Sequence, residues 1–188
     1  MPDAEQAYAT ARDLLASSLP QRWAHVQGVA KRASLAALSF DEEDADILEA
    51  SAVLHDIGYA PSLIVTGFHA LDGASYLQNR GVSKRLCGLV AHHSCAYREA
   101  GLRGQSSALA EWEDEGTPLR DALWWADMTT TPDGRQTNVH KRIEEIRERY
   151  GPDDLVTLFI GQAKADLVAA VERTEQRLRA AGINYTVK

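Results

Sequence analysis

The sequence predicts an all-α protein, a helical bundle of one domain. Long segments repeat their apolar residues at intervals of three and four, whereas the alternation of polar and apolar residues that marks strands is missing. A chain of 188 residues is long enough to bury most of the apolar surface that its unfolded form exposes, and it fits a single domain over residues 1–188. No repeat or low-complexity tract divides it.

Five helices are predicted in the first half of the chain, most with a capping or breaking residue at the start. Asp3, Asp41 and Ser83 are good N-caps, because their side-chain oxygens can accept hydrogen bonds from the free N–H groups of a first turn. Pro20 breaks the first helix and fits the first turn of the second. The predicted ranges are residues 3–18, 21–38, 41–56, 69–80 and 83–93.

Two connecting segments differ in character. Residues 62–67 contain the apolar run Leu-Ile-Val at 63–65, which predicts a connection packed against the core. Residues 96–116 contain three glycines, and we expect an irregular segment, a mobile loop or lid, with a short helical piece at 108–112.

Three further helices are predicted in the second half of the chain. Pro118 fits the first turn of the first of these helices. That helix runs to Asp127, and the segment rich in helix breakers after it ends the helix. The second, residues 139–150, alternates acidic and basic residues and is expected to be a solvated face. The third starts at residues 153–154 and repeats its apolar side chains every four residues until Gly182.

Composition excludes several classes of protein and partner. The net charge is −7, and 20 Lys and Arg residues are scattered among 27 Asp and Glu residues, so we expect a small charged partner and not a nucleic acid. Cys87 and Cys95 lack the spacing of a zinc finger and the density of a disulfide scaffold, which predicts free thiols in a reducing cytoplasm. Neither a signal-peptide pattern nor a run of about 18 apolar residues occurs, so neither export nor a membrane partner is expected.

The residues that can carry chemistry are histidines and two carboxylates. His55 and Asp56 end an apolar helical run, where both can reach one cleft, although such a doublet alone is more often a hydrogen-bonded pair than a metal site. Asp127 follows an apolar run, and a buried carboxylate needs a cation or hydrogen-bond donors. Imidazole nitrogens and carboxylate oxygens are ligands of divalent metals. The six histidines are residues 25, 55, 69, 92, 93 and 140.

The order of these residues resembles a known family. His25, the doublet His55-Asp56 and Asp127, all on predicted helices, look like the motif of the HD superfamily of metal-dependent phosphohydrolases. This resemblance implies an HD-like helical core over about residues 21–135, with the C-terminal helices, within residues 138–182, packing on it. It also implies hydrolysis of a phosphoester or phosphoanhydride bond in a small nucleotide, by a metal-activated water.

Further segments are similar to the two-metal branch of that superfamily, which includes the HD-type diadenosine tetraphosphate hydrolases and the cyclic-dinucleotide phosphodiesterases. His69-Ala-Leu-Asp-Gly-Ala74 and His92-His93-Ser94 resemble the histidine motifs that this branch adds between the doublet and the last aspartate. Residues 126–135 resemble the final segment of the diadenosine tetraphosphate hydrolases.

The resemblance implies a role for each matching residue. Two divalent ions are expected, with iron or manganese the first candidates, and Asp56 is the expected catalytic residue because it bridges them. The implied ligands are His25, His55, Asp56 and Asp127 for one ion, and His69 and His93 for the other. The implied contacts to substrate phosphate are Arg135, Thr130 and His92.

Several alternatives remain open from the sequence. His69 can instead cap its helix, and His92 and His93 lie about 100° apart on a helix, so only one of them is expected to face the site. The lysine that many relatives carry soon after the doublet is missing, since this chain reads Gly58-Tyr-Ala-Pro61. A regulatory module that keeps the metals and binds a nucleotide without turnover is therefore the alternative function, ahead of a helical interaction protein. Oligomeric state is left open.

Overall fold

Apolar residues at helical spacing produce ten α-helices in residues 4–186, the part of the chain that the computed structural model describes. Short 3-10 turns cover Ile57–Tyr59, Pro61–Leu63 and His93–Cys95. The helices are α1 Ala4–Leu15, α2 Pro20–Ala37, α3 Glu42–Leu54, α4 His69–Asn79, α5 Lys84–Ala91, α6 Ala96–Arg103, α7 Ser106–Leu109, α8 Pro118–Met128, α9 Val139–Tyr150 and α10 Leu155–Ala180. Apart from one isolated bridge, the described residues form no β-structure, so the all-α prediction is confirmed.

Local capping chemistry sets most helix starts. The side chain of Asp41 accepts a hydrogen bond from the Asp44 amide at 3.0 Å, and that of Ser83 accepts one from the Leu86 amide. Pro20 is the first residue of α2, as predicted. The predicted cap Asp3 lies outside the described residues. None of the described helices combines the length and apolar character needed to cross a bilayer.

The main core lies where α8 packs on α2 and α3 on one side and on α10 on the other. Val29, Leu48, Leu123 and Leu167 are among its fully buried side chains. A second cluster joins α1, α3 and α5. This arrangement holds α2, α3, α5 and α8 side by side, so that side chains at their ends can meet in one place.

The expectations for the two connecting segments hold only in part. Residues 96–103 are not irregular, because Ala96, Glu99 and Ala100 form a buried face of helix α6, which ends at Gly104 in a left-handed turn at φ 68°. A short helix follows at Ser106–Leu109, and residues 110–117 are irregular, as predicted. In the apolar connection, Leu63 packs against the second cluster, whereas Ile64 and Val65 are 58% and 88% exposed.

Candidate metal centre and cavity

The doublet lies where α3 ends. His55 is the C-cap of α3, and Asp56 leaves helical geometry at φ −105° and ψ 7°. Both side chains are buried, and Nε2 of His55 lies 3.3 Å from Oδ2 of Asp56. The end of the helix therefore directs an imidazole and a carboxylate into the same space.

A first group of ligand atoms forms around Oδ2 of Asp56. Nε2 of His25, from α2, lies 3.9 Å from that oxygen, and the ligand atoms of His25, His55 and Asp56 all lie within 4.8 Å of one another. Asp127, from α8, places Oδ1 3.0 Å from Nε2 of His25. Three helices thus bring these four predicted ligands together.

A second group forms around the other oxygen of Asp56. Nε2 of His69, at the start of α4, and Nε2 of His93, after α5, each lie 3.7 Å from Oδ1 of Asp56. These two Nε2 atoms are 3.1 Å apart. His69 does not cap its helix with its side chain, because it is the first helical residue and its ring points to the carboxylate.

Hydrogen bonds to backbone carbonyl groups orient the histidine rings. A carbonyl oxygen only accepts, so each Nδ1 that faces one carries the proton, and when the ring is neutral its lone pair is on Nε2. Within the described chain, the buried Nε2 of His55 has no hydrogen-bond partner. The Nδ1 contacts are His25 to Thr131 at 3.0 Å, His55 to Ala52 at 2.7 Å and His93 to Val90 at 2.6 Å. Converging nitrogen lone pairs and carboxylate oxygens are a donor set that fits a divalent cation.

The comparison with protein families agrees with this geometry. Residues 22–127, more than half of the chain, match the HD domain family. The chain belongs to the HD domain family. HD domains are in general metal-dependent phosphohydrolases that bind divalent metals, and this HD protein has histidine and aspartate groups that can hold one. The comparisons with curated proteins and with solved structures gave no significant match.

Close backbone packing positions His25 in this HD site. A Cβ atom on Gly28 of α2 would lie 2.5 Å from the carbonyl oxygen of Gly134, and one on Gly134 would lie 2.3 Å from the carbonyl oxygen of Ala24. Only glycines allow the turn after α8 to approach α2 so closely. That approach places the Thr131 carbonyl against Nδ1 of His25.

Backbone strain marks the segment after His93. Ser94 and Cys95 have φ values of 46° and 63°, in the left-handed region that side chains disfavour. The kink lets the Ser94 hydroxyl donate a short hydrogen bond to Oδ2 of Asp127. Cys95 is buried, as a small apolar residue would be.

The carboxylates of the HD site are ionised. Burial acts to raise the pKa of Asp56, but Arg22 and His55 outweigh it and place that pKa well below its ordinary value. Burial acts in the same way on Asp127, and contact with His25 again lowers the pKa far below the ordinary value. Two buried negative charges in one site call for positive charge nearby.

The environment of the site shifts the pKa values of its histidines in opposite directions. Burial acts to lower the pKa of His55, yet Asp56 and Asp127 raise it to about 8. Burial and the neighbouring His93 lower the pKa of His69 well below its ordinary value, and burial and His55 lower that of His93. His69 and His93 are therefore neutral near pH 7, which is the form that binds a metal.

Four of the candidate metal ligands, Asp56, His69, His93 and Asp127, line one cavity, and Arg22 lies beside Asp56. A second wall of this cavity comes from α9 and α10, which lie outside the HD match. It is both apolar and basic and is lined by Ile146, Phe159, Ile160, Arg142 and Arg149, with Met128 from the end of α8 next to them in the lining.

The three predicted phosphate contacts do not line this cavity. Arg135 is 80% exposed and pairs with Asp133 at 2.7 Å. The Thr130 hydroxyl is buried and donates to the Ala126 carbonyl at 2.7 Å, and Nε2 of His92 donates to the Trp112 carbonyl at 2.9 Å. Each of the three residues therefore has a polar partner outside this cavity, although Nδ1 of His92 has no hydrogen-bond partner among the described residues.

Two residues that the sequence analysis missed do lie in the site. Arg22 donates to Oδ2 of Asp56 at 2.7 Å, and its guanidinium lies 4.1 Å from the centre of the Tyr59 ring. That ring stacks on His69 at 4.1 Å. Helical spacing gave a signal for Arg22, because a residue three positions before His25 lies on the same face of α2.

Proposed function

We propose that this HD protein hydrolyses a phosphoester or phosphoanhydride bond in a small nucleotide, with dinucleoside polyphosphates among the candidate substrates. The observation that carries the proposal is Asp56, whose two oxygens face two separate groups of histidine nitrogens beside an open cavity. A shared carboxylate between two ligand groups suits a pair of divalent ions. Hydrolysis of phosphate compounds is among the reactions that such pairs catalyse, by stabilising the attacking and leaving oxygens.

Two ions are proposed, with iron or manganese the first candidates. One would be held by His25, His55, Asp56 and Asp127, and the other by His69, His93 and Asp56. Mixed imidazole and carboxylate ligands favour iron or manganese over calcium or magnesium, which prefer oxygen ligands alone. Bound there, such ions lower the pKa of a water molecule into the neutral range and offset charge on phosphate oxygens.

The side chains around the metal groups supply binding and orientation. Arg22 is assigned to the oxygens of the reacting phosphate, because its guanidinium lines the cavity directly beside Asp56. Although burial acts to lower it, the Asp56 and Tyr59 groups raise the pKa of Arg22 above its ordinary value, so this cation stays charged. Stacking on Tyr59 fixes the plane of the guanidinium. Arg22 thereby takes the place of the missing lysine after the doublet.

The apolar wall supports a nucleotide over an inorganic phosphate compound. Phe159, Ile160 and Ile146 line the same cavity as Asp56 and Asp127. The ring of Phe159 and two branched side chains suit a flat nucleobase, and burial of the base contributes favourably to the free energy of binding. Trp124 and Trp125 are fully buried in the core and do not line this cavity.

The proposal is tested with protein purified anaerobically and analysed for metal. We expect about two equivalents of metal, hydrolysis of bis(4-nitrophenyl) phosphate or diadenosine tetraphosphate, and loss of both metal and turnover in Asp56→Ala. One equivalent would support the simpler arrangement of four ligands. Nucleotide binding with no turnover after long incubation would reject hydrolysis and favour a regulatory module.

A further inference from the structure

Helix α9 turns a buried arginine toward the cavity. The sequence places Arg142 in a highly charged helix that was expected to face solvent, yet Arg142 is only 5% exposed and lines the cavity. Burial of a guanidinium is costly unless all its donors are used. Its position therefore needs a partner that matches its charge.

The partners within the described chain do not satisfy Arg142. One end of its guanidinium pairs with Glu145, but its buried Nε has no hydrogen-bond partner among the described residues. Glu145 is also 3.4 Å from Nε of Arg149. Two guanidinium groups thus share one carboxylate, which leaves an excess of positive charge on this wall.

Three arginines from two helices converge on the same space. Arg22, Arg142 and Arg149 line the main cavity and also an adjoining cleft. Arg22 contacts Asp56 of the metal centre directly, whereas Arg142 and Arg149 form ion pairs with Glu145 on their own helix. The α9 arginines therefore add positive charge to the cavity without pairing with the carboxylate of Asp56.

We propose that Arg142, with Arg149, binds an anionic group of the substrate other than the phosphate that reacts at the metal centre. The substrate class is then a nucleotide with at least two phosphates. This inference rests on the proposed function and specifies its substrate. A second phosphate accepts a hydrogen bond from the unpartnered Nε of Arg142 and balances the positive charge that the shared Glu145 leaves over. A guanidinium suits this role because it offers several donors in one plane to phosphate oxygens.

The test measures binding and needs no turnover. Calorimetry on metal-loaded protein compares AMP with α,β-methylene-ADP, which carries a second phosphate and resists hydrolysis between the two. We expect the unchanged protein to prefer the diphosphate analogue by about tenfold or more, the value of one charge-assisted hydrogen bond. Arg142→Gln and Arg149→Gln are expected to remove most of this preference and to leave AMP binding and metal content intact.

Two further variants separate binding from structure. Arg142→Lys keeps the charge and is expected to retain part of the preference, whereas Arg147→Gln alters an exposed residue of the same helix that does not line the cavity and is expected to change nothing. Equal loss of both ligands in Arg142→Gln, no loss, or no preference in the unchanged protein overturns the inference. A protein that prefers the analogue but hydrolyses no phosphate compound rejects the proposed function alone.

Discussion

Gly58 packs directly on the backbone of His69. A Cβ atom on Gly58 would lie 1.9 Å from the His69 carbonyl oxygen and 2.7 Å from the Gly73 amide nitrogen. The turn that follows the doublet can therefore lie against the start of α4 only because residue 58 has no side chain. This contact holds the backbone of His69 against the turn that follows Asp56.

Gly58→Ala is expected to destabilise the protein by about 3 kcal/mol, because the backbone atoms it meets cannot move aside as a flexible side chain can. It should also lower the occupancy of the metal ion that His69 is proposed to bind. Urea unfolding and metal analysis measure both effects.

The control is Gly161→Ala in α10, where a Cβ meets nothing within 4 Å. That change is expected to stabilise by about 0.5–1 kcal/mol. Equal stability of the two variants would contradict the close-packing argument.

Asp56→Asn is expected to remove nearly all bound metal. Its two oxygens face different histidine groups, so one substitution weakens both, and a neutral amide oxygen is a poor bridge between cations. Elemental analysis of the purified variant measures the loss. Asp133→Asn, an exposed carboxylate paired with Arg135, is the control and should keep full metal content. Retention of both equivalents in Asp56→Asn would show that the bridging role is wrong.

His69→Ala and His25→Ala are each expected to lower the metal content from about two equivalents to about one. The two histidines belong to different groups, which share Asp56. Titration of metal-free protein followed by elemental analysis gives the stoichiometry. His140→Ala, an exposed histidine on α9, should leave it unchanged. Loss of all metal in both variants would indicate a single site.

Metal addition is expected to stabilise the folded protein. Ions that bind only the native state raise the free energy of unfolding by about 2.7 kcal/mol at a free concentration 100 times the dissociation constant. Thermal unfolding of metal-free protein, with and without manganese, measures the shift. The same addition to Asp56→Asn should give little change. A similar rise in both proteins would assign the effect to metal bound elsewhere.

The sequence indicated the residues that converge around Asp56 but not the arginines of α9. His25, His55 and Asp56 can be recognised because their residue types and order carry the chemistry wherever the helices pack. Helical spacing places Arg142 on the apolar face of α9 with Val139, Ile143 and Ile146, but the charge pattern of this helix led to the expectation of a solvated face. Arg135, a predicted phosphate contact, does not line the cavity and pairs with the nearby Asp133.

Helix boundaries show the same division. Caps such as Asp41 and Ser83 are local and were predicted correctly, because the hydrogen bonds involved span only three residues. The segment after Cys95 was predicted as irregular because glycines usually mark loops. Tertiary burial of Ala96 and Ala100 instead makes it a helix. Long-range packing therefore overrode composition there.

Arg22→Gln is expected to lower kcat/KM for a phosphate substrate about 100-fold while metal content stays near that of the unchanged protein. Arg22 donates to Asp56 but supplies no metal ligand, and loss of one charged donor to a reacting phosphate has an effect of this size. Arg22→Lys should recover part of the rate, because it keeps the charge without the planar guanidinium. Arg12→Gln, which alters an exposed arginine on α1, is the control. If Arg22→Gln loses its metal as Asp56→Asn does, the role of Arg22 is to support the carboxylate, and its assignment to phosphate is wrong.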